Sequence, residues 1–107
     1  MKRIGLVLAL ICTPALAHEA EPTPKQPLGW TYPFSCCSGI DCRQVTNGKN
    51  GIVREEAGGY VIAKTGEKII YGDTRIKDSP DGEFHWCSVA GADDSRTLCL
   101  FVPPRAF

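Results

Sequence analysis

The residues with the most reactive side chains in this chain are its cysteines. Three of them lie close together, in the pattern Cys36-Cys37-x4-Cys42, and two stand apart at Cys87 and Cys99. A thiolate binds soft metals and attacks disulfides, whereas a pair of oxidised cysteines cross-links the fold. The redox compartment decides between these outcomes, so it has to be inferred from the rest of the sequence.

The start of the chain indicates that compartment. A basic dipeptide is followed by an apolar run over 4–12 and by small residues at 15 and 17, which together match a secretory signal peptide. The run is too short to span a bilayer, and Cys12 lacks the small preceding residue of a lipidated cysteine. We therefore predict a signal peptide over 1–17, a mature chain from His18, and a periplasmic or secreted location that is oxidising.

Composition limits the remaining possibilities. The mature chain is long enough for one domain, whose core is small enough for cross-links to matter. Acidic residues slightly outnumber basic ones outside the signal peptide, so the sequence has no basic footprint for nucleic acid. No second apolar run reaches membrane-spanning length. We predict no nucleic-acid partner and no membrane span.

Five cysteines in an exported chain form at most two internal disulfides. In one layout, Cys87–Cys99 closes a hairpin and Cys42 pairs with Cys36 or Cys37. In the other, the N-terminal cluster is bridged to both Cys87 and Cys99. We favour the second layout slightly, because it closes longer loops and ties the N-terminal segment to the rest of the fold. A bridge between the neighbouring Cys36 and Cys37 is disfavoured by disulfide geometry.

One cysteine is left over, and three interpretations remain open for it. We favour a buried, inert thiol, which packs as a small apolar group. The alternatives are a link between two copies of a chain that is otherwise a monomer, and a reactive thiolate. Arg43 beside Cys42 is the only local indication of a reactive thiolate.

Two sets of side chains are candidates for a copper or zinc site. His85 and Cys87 share one face of a strand and, with Cys36 and Cys37, offer imidazole and thiolate ligands. Alternatively, His18 at the mature N-terminus offers an amine and an imidazole that resemble, together with His85, the histidine brace of some exported copper proteins. No Cys-x2-Cys pair is present, and export favours disulfides instead. We therefore predict no cofactor and keep copper or zinc as the alternative.

Enzyme motifs are missing from the sequence. It has no Gly-x-Ser-x-Gly, no phosphate-binding glycine loop and no His-Glu-x-x-His. A cysteine paired with His85 is a poor nucleophile–base candidate when most cysteines are bridged. The acids Asp73, Asp78, Asp81 and Glu83 surround one long loop but match no EF-hand spacing, so we interpret that loop as solvated. We predict that the chain is not an enzyme.

The elements that position these residues are predicted to be short strands. A proline-rich leader over 18–28 reads as flexible, and the three aromatic residues within 30–34 read as core or a lid over the core rather than as a ligand platform. Alternating apolar residues and turn signals predict strands at 43–46, 51–56, 60–64, 67–71, 83–89 and 97–102. The predicted fold of 29–107 is all-β, a small antiparallel barrel or sandwich of about six short strands held by disulfides, with an irregular aromatic N-terminal segment.

The last two predicted strands form a hairpin centred on Asp93. This register places Val89 opposite Thr97 and Cys87 opposite Cys99. Alternation then divides the side chains into a face with Cys87, Val89, Cys99 and Phe101 and a face with Phe84, Trp86, Leu98, Leu100 and Val102. A hairpin that is apolar on both faces is central in its sheet, and we expect the aromatic N-terminal segment to cover one side.

Three motifs connect these features to a known group of proteins. They are Trp-x-Tyr-Pro-x-x-Cys-Cys-Ser-Gly-x-Asp-Cys from Trp30, Ser-Pro-Asp-Gly-x-x-His-x-Cys from Ser79, and Leu-Cys-Leu-Phe-x-Pro-Pro from Leu98. The combination resembles an uncharacterised group of short exported proteins of alphaproteobacteria and their phages. The resemblance implies an exported domain organised by cysteines, and it implies no activity, substrate or catalytic residue.

These observations favour a structural or protein-binding module as the function. Its predicted working surface is the 72–82 loop, with Asp78 and Asp81, together with the exposed edges of Trp30 and Tyr32. The alternatives are a copper- or zinc-binding or thiol-redox protein of the cell envelope that uses His85 with the cysteines, and a small inhibitor of an envelope enzyme.

Overall fold

A computed structural model describes residues 19–104 of the chain. The predicted signal peptide, His18 and residues 105–107 lie outside the described residues. The strands are β1 (Glu19–Ala20), β2 (Trp30–Thr31), β3 (Cys42–Val45), β4 (Val53–Glu56), β5 (Gly59–Ile62), β6 (Lys68–Ile70), β7 (Ile76–Asp78), β8 (Phe84–Ser88) and β9 (Thr97–Val102). Apart from a 3-10 turn at Val89–Gly91, the described part of the chain is built from strands and loops, and it contains no helix with the length and apolarity to cross a membrane.

The strands form two main sheets and a small ribbon. The larger sheet has the order β3-β8-β9-β7, in which β7 runs parallel to β9 and the other neighbours are antiparallel. The second sheet is the antiparallel meander β4-β5-β6, and β1 pairs with β2. The all-β prediction is therefore confirmed, in a sandwich-like arrangement whose described sheets do not close into a barrel.

Two apolar cores lie on opposite faces of the larger sheet. The first core lies between the two sheets and joins Trp86, Leu100 and Val102 to Val53, Tyr60, Ile62 and Ile69. The second core contains Ala20, Tyr32, Cys36, Cys37, Cys87, Cys99 and Phe101. The β8–β9 hairpin is thus covered on both faces, and the aromatic N-terminal segment supplies one cover, as predicted.

The hairpin register is partly as predicted. Cys87 pairs with Cys99, but a bulge then places Ser88 rather than Val89 opposite Thr97. The prediction for Val89 is wrong because the chain leaves the ladder one residue earlier and enters the 3-10 turn, where Val89 is exposed. The bulge also moves Leu98 to the cysteine-containing core, contrary to the predicted face.

The N-terminal strap, residues 19–32, folds back on itself and packs on the domain. Ala20 pairs with Trp30 and is buried, and a turn between Thr23 and Gln26 reverses the chain. Gly29 completes the reversal with a φ of 75°, and a Cβ there would lie 2.6 Å from the Ala20 carbonyl oxygen. Only glycine adopts this positive φ without strain and has no Cβ to clash with the carbonyl oxygen. From Glu19 onward, this packing differs from the flexible leader predicted over 18–28.

Candidate functional site

The strap brings two aromatic residues against the loop that precedes β8. The Tyr32 hydroxyl lies 2.9 Å from Nδ1 of His85, and the other ring nitrogen, Nε2, lies 2.9 Å from Oδ1 of Asp81. The indole Nε1 of Trp30 donates to Oδ2 of Asp81 at 2.9 Å. Two pairs of residues that are distant in sequence, Trp30 with Tyr32 and Asp81 with His85, therefore form one hydrogen-bonded network, which we call the Tyr32–His85–Asp81 network.

The local sequence explains why Asp81 faces inward. Its Oδ1 accepts hydrogen bonds from the Ser79 hydroxyl at 2.8 Å and from the Glu83 amide at 2.9 Å, which folds the loop around the carboxylate. Gly82, with a φ of 79°, allows this tight turn. The carboxylate is thereby surrounded by donors before β8 begins.

Charge in the network is held by Asp81. Burial by itself raises the pKa of the Asp81 carboxyl, but the hydrogen bonds it accepts, from Trp30 and His85 above all, lower that pKa to about 2. Burial raises the pKa of the Tyr32 phenol well above its usual range, and nearby Cys37 and Asp81 add to the effect. The ionised Asp81 carboxylate only accepts hydrogen bonds, so Nε2 of His85 carries a hydrogen. In the neutral ring Nδ1 then carries none, and it accepts a hydrogen bond from the Tyr32 hydroxyl.

The network is enclosed by aromatic rings. The Trp30 ring meets Tyr32, His85 and Phe101 edge-on, with centroids 4.8, 5.1 and 5.2 Å apart. His85 is completely buried. This arrangement secures the strap to β8 and β9, and it gives an external substrate no access to the imidazole.

The cysteines adopt the layout that ties the N-terminal segment to the hairpin. Cys36 is bonded to Cys99 and Cys42 to Cys87, so the alternative with a Cys87–Cys99 bridge is not the one formed. Cys37 belongs to neither disulfide, is fully buried, and donates its thiol hydrogen to the Gly39 carbonyl oxygen at 3.2 Å.

The predicted metal ligands are not assembled into one site. Cys36 and Cys87 belong to different disulfides, and both nitrogens of His85 have partners within the network. Within residues 19–104, no three His, Cys, Asp or Glu side chains are placed to hold a metal ion. The histidine-brace hypothesis depends on His18, which lies outside the described residues.

Two of the residues predicted to form the working surface are buried. Tyr32 is 3% exposed and Asp81 is 2% exposed, so the expectation that they form an exposed surface is wrong. The reason is that the apolar hairpin needs a cover and that Asp81 is the acceptor for the donors in that cover. Trp30 is half-buried, whereas Asp78 on β7 and most of the remaining 72–82 loop are exposed or half-buried.

Exposed apolar side chains lie near the disulfides, and they include Phe34, for which the prediction of a core or lid position is wrong. Phe34, Ile40 and Val89 are 76%, 67% and 40% exposed. The backbone of Ile40 contacts Gly91 in the turn that begins at Val89, and Phe34 precedes the bridged Cys36. The sequence signal for an exposed apolar residue here was Ile40, which is large and apolar within the polar Ser-Gly-Ile-Asp segment. Strand alternation does not account for it.

The surface also carries open grooves. One of them, with a volume of about 530 Å3, runs between the turn at 47–49 and β4 and is bordered by Phe84. Another, of about 360 Å3, lies between the strap and β3. Both are lined by charges of both signs, and neither contains the Asp81 carboxylate or the His85 ring.

Comparison of the chain with protein-family models, with curated proteins and with solved structures found no match in any of the three.

Proposed function

We propose that this chain is an exported binding module, which presents an apolar patch to a partner protein from a rigid, disulfide-held scaffold. We assign Phe34, Ile40 and Val89 to this patch because each is exposed beside the bridged 36–42 segment or in the 3-10 turn, and we call it the cysteine-end patch. The observation that carries the proposal is the contrast between this exposed patch and the reactive side chains, which are engaged inside the fold.

The interior supports a binding role rather than a catalytic one. The carboxylate, the imidazole and the phenol of the Tyr32–His85–Asp81 network are buried and bonded to one another. Their arrangement fixes the strap and keeps the imidazole and the carboxylate almost entirely out of contact with solvent. A general base has to come within hydrogen-bond reach of the proton that it removes from a substrate.

The rigidity of the patch also supports the proposal. Ile40 lies between Cys36 and Cys42, which are bridged to β9 and β8. The amide of Ser88 donates to the Asp41 carbonyl oxygen at 3.0 Å, which fixes the segment next to Ile40. Apolar side chains held in a fixed geometry lose little conformational entropy when a partner covers them, so they favour binding.

A matched pair of isoleucine variants tests the patch. Ile40 in the patch and Ile70 on β6 are 67% and 59% exposed, so replacement by serine removes similar apolar area in each case. The mature protein and both variants are immobilised and exposed to the exported proteins of the cell that produces the chain. We expect the wild type and Ile70→Ser to retain one partner and Ile40→Ser to lose about tenfold or more of it. Equal retention by all three proteins, or no retention by any, contradicts the proposal.

The intact mass of the protein tests export. A mature chain that begins at His18 and carries two disulfides is the expected product. A chain that retains residues 1–17 contradicts export, and a retained metal mass moves the function to the copper or zinc alternative.

A further inference from the structure

The two disulfides differ in their access to solvent. Cys36 and Cys99 are 0% and 4% exposed, so the bond between them is enclosed in the second core. In the other disulfide, Cys87 is completely buried, but its partner Cys42 is only partly buried and packs against that core from outside. Cys42 is therefore the bridged cysteine that is most open to a reagent in solution.

Cys42 also lines the groove between the strap and β3. The groove has a volume of about 360 Å3, which is large enough for a side chain that carries a thiol. Its lining consists of Glu19, Glu21, Tyr32, Ile40 and residues 42–44. Cys87 is not part of this lining, so the groove reaches the disulfide from the Cys42 side.

The position of β3 suits attack from this groove. β3 is the edge strand of the larger sheet, and Cys87 lies on β8, the next strand towards the centre. A thiolate attacks a disulfide in line with the bond, on the side opposite the sulfur that leaves. For attack at Cys42, that direction leads away from Cys87, and the groove borders Cys42 alone of the two.

We propose that the Cys42–Cys87 disulfide is a thiol-exchange site, which a dithiol of another molecule reaches through the groove at Cys42. The Cys36–Cys99 disulfide is the structural bond that keeps the domain together during the exchange. The site therefore takes the reduced active centre of a dithiol reductant as its substrate.

The exchange proceeds in two balanced steps. The first thiolate of the dithiol attacks Sγ of Cys42, which forms a mixed disulfide and releases Cys87 as a thiolate. The second thiolate of the dithiol attacks its own sulfur partner in the mixed disulfide and releases Cys42. The dithiol becomes a disulfide, its two electrons reduce the Cys42–Cys87 bond, and its two protons end on Cys42 and Cys87.

The exchange changes how the edge of the sheet is held. It removes the covalent link between β3 and β8 and leaves the link through Cys36 in place. The segment 38–42 is then attached to β8 by hydrogen bonds, among them the bond from the Ser88 amide to the Asp41 carbonyl oxygen. Ile40 belongs to this segment, so the exchange loosens the cysteine-end patch. The exchange itself does not depend on the proposed binding function.

Tryptic mapping without reduction shows which disulfide opens first. Cleavage after the basic residues gives the cysteine-bearing peptides 26–43, 78–96 and 97–105, which the two native bonds join into one species. Opening of Cys42–Cys87 releases 78–96, whereas opening of Cys36–Cys99 releases 97–105. The folded mature protein is treated with dithiothreitol for increasing times. Each sample is stopped with acid and labelled with N-ethylmaleimide in denaturant before digestion.

We expect 78–96 to be released about tenfold or more faster than 97–105, at a rate that rises in proportion to the dithiothreitol concentration. Release of both peptides at one rate overturns the proposal, because the two disulfides then open together in global unfolding. Earlier release of 97–105 overturns it as well, and so does release of either peptide only in denatured protein.

A variant with a filled groove tests the route. Gln44 lines the groove two residues after Cys42, on the same face of β3, so Gln44→Trp narrows the space in front of Cys42. We expect it to slow the release of 78–96 by about tenfold. Glu56→Trp is the matched control, because Glu56 is exposed on β4, an edge strand of the other sheet, and it should leave the rate unchanged.

Equal rates for the two tryptophan variants overturn the route through the groove. If Gln44→Trp fails to fold, the order in which the wild type releases the two peptides decides the proposal by itself.

Discussion

Replacement of Asp81 by asparagine isolates the charge in the Tyr32–His85–Asp81 network. The pKa of Asp81 is about 2 in the folded protein against an ordinary value of 3.8, because the bonds from Trp30 and His85 outweigh burial. A difference of this size stabilises the fold by about 2 kcal/mol when the group is ionised in both states. Asp81→Asn keeps the shape of the side chain and removes that contribution.

The sign of the pH dependence follows from the lowered pKa. The contribution of Asp81 is complete only above about pH 5, and it is lost as the pH falls from there towards 2, because the unfolded chain takes up the proton first. At pH 7 we expect Asp81→Asn to be less stable than the wild type by about 2–3 kcal/mol, which includes the buried donors that it leaves poorly paired. The difference should shrink by about 2 kcal/mol between pH 5 and pH 2.

Urea unfolding followed by tryptophan fluorescence measures this difference at each pH. Asp78→Asn is the matched control, because Asp78 is exposed on the neighbouring strand β7 and should show no comparable pH-dependent gap. A gap between wild type and Asp81→Asn that stays constant from pH 5 to pH 2 would refute the assignment of the stabilising charge to Asp81.

Three further substitutions test the packing around the network and the core. Tyr32→Phe removes the donor to a buried imidazole nitrogen and should lower the free energy of unfolding in urea by about 1–3 kcal/mol. Gly29→Ala should cost more than Gly66→Ala, by about 1 kcal/mol or more, since both have positive φ but only Gly29 has a carbonyl oxygen 2.6 Å from the added Cβ. Thr97→Val removes the partner of the buried Trp86 indole, and its melting temperature should fall by about 4 °C or more. Equal stability of Gly29→Ala and Gly66→Ala contradicts the close contact at Gly29. Wild-type stability of Tyr32→Phe or of Thr97→Val contradicts the hydrogen bond that the variant removes.

The sequence predicted those features that depend on strand alternation. The opposition of Cys87 and Cys99 follows from the centre of the hairpin, and the two apolar faces, except at Val89 and Leu98, follow from a period of two residues. The pairing of Ser88 with Thr97 could not be predicted, because a bulge changes the register without changing the alternation that precedes it.

The buried network escaped prediction for a different reason. Ser-Pro-Asp-Gly is typical of a solvated turn, and the partners of Asp81 and His85 lie more than fifty residues earlier, at Trp30 and Tyr32. No local sequence pattern predicts a hydrogen bond between residues that are so far apart in the chain. The folded strap was missed in the same way, because its proline-rich composition indicates flexibility while its order comes from Gly29 and from contacts with distant strands.

The position of the strap has a consequence for the order in which the chain can fold. The groups that receive it, Asp81, His85 and Phe101, all belong to the last quarter of the sequence. When the chain is synthesised from its N-terminus, the strap therefore emerges before the residues that it packs against. Of the two main sheets, only the meander β4-β5-β6, whose strands are consecutive in sequence, can form early. Such high contact order favours slow folding, completed after β9 is available. The first residues of the domain to be synthesised are then among the last to reach their native positions.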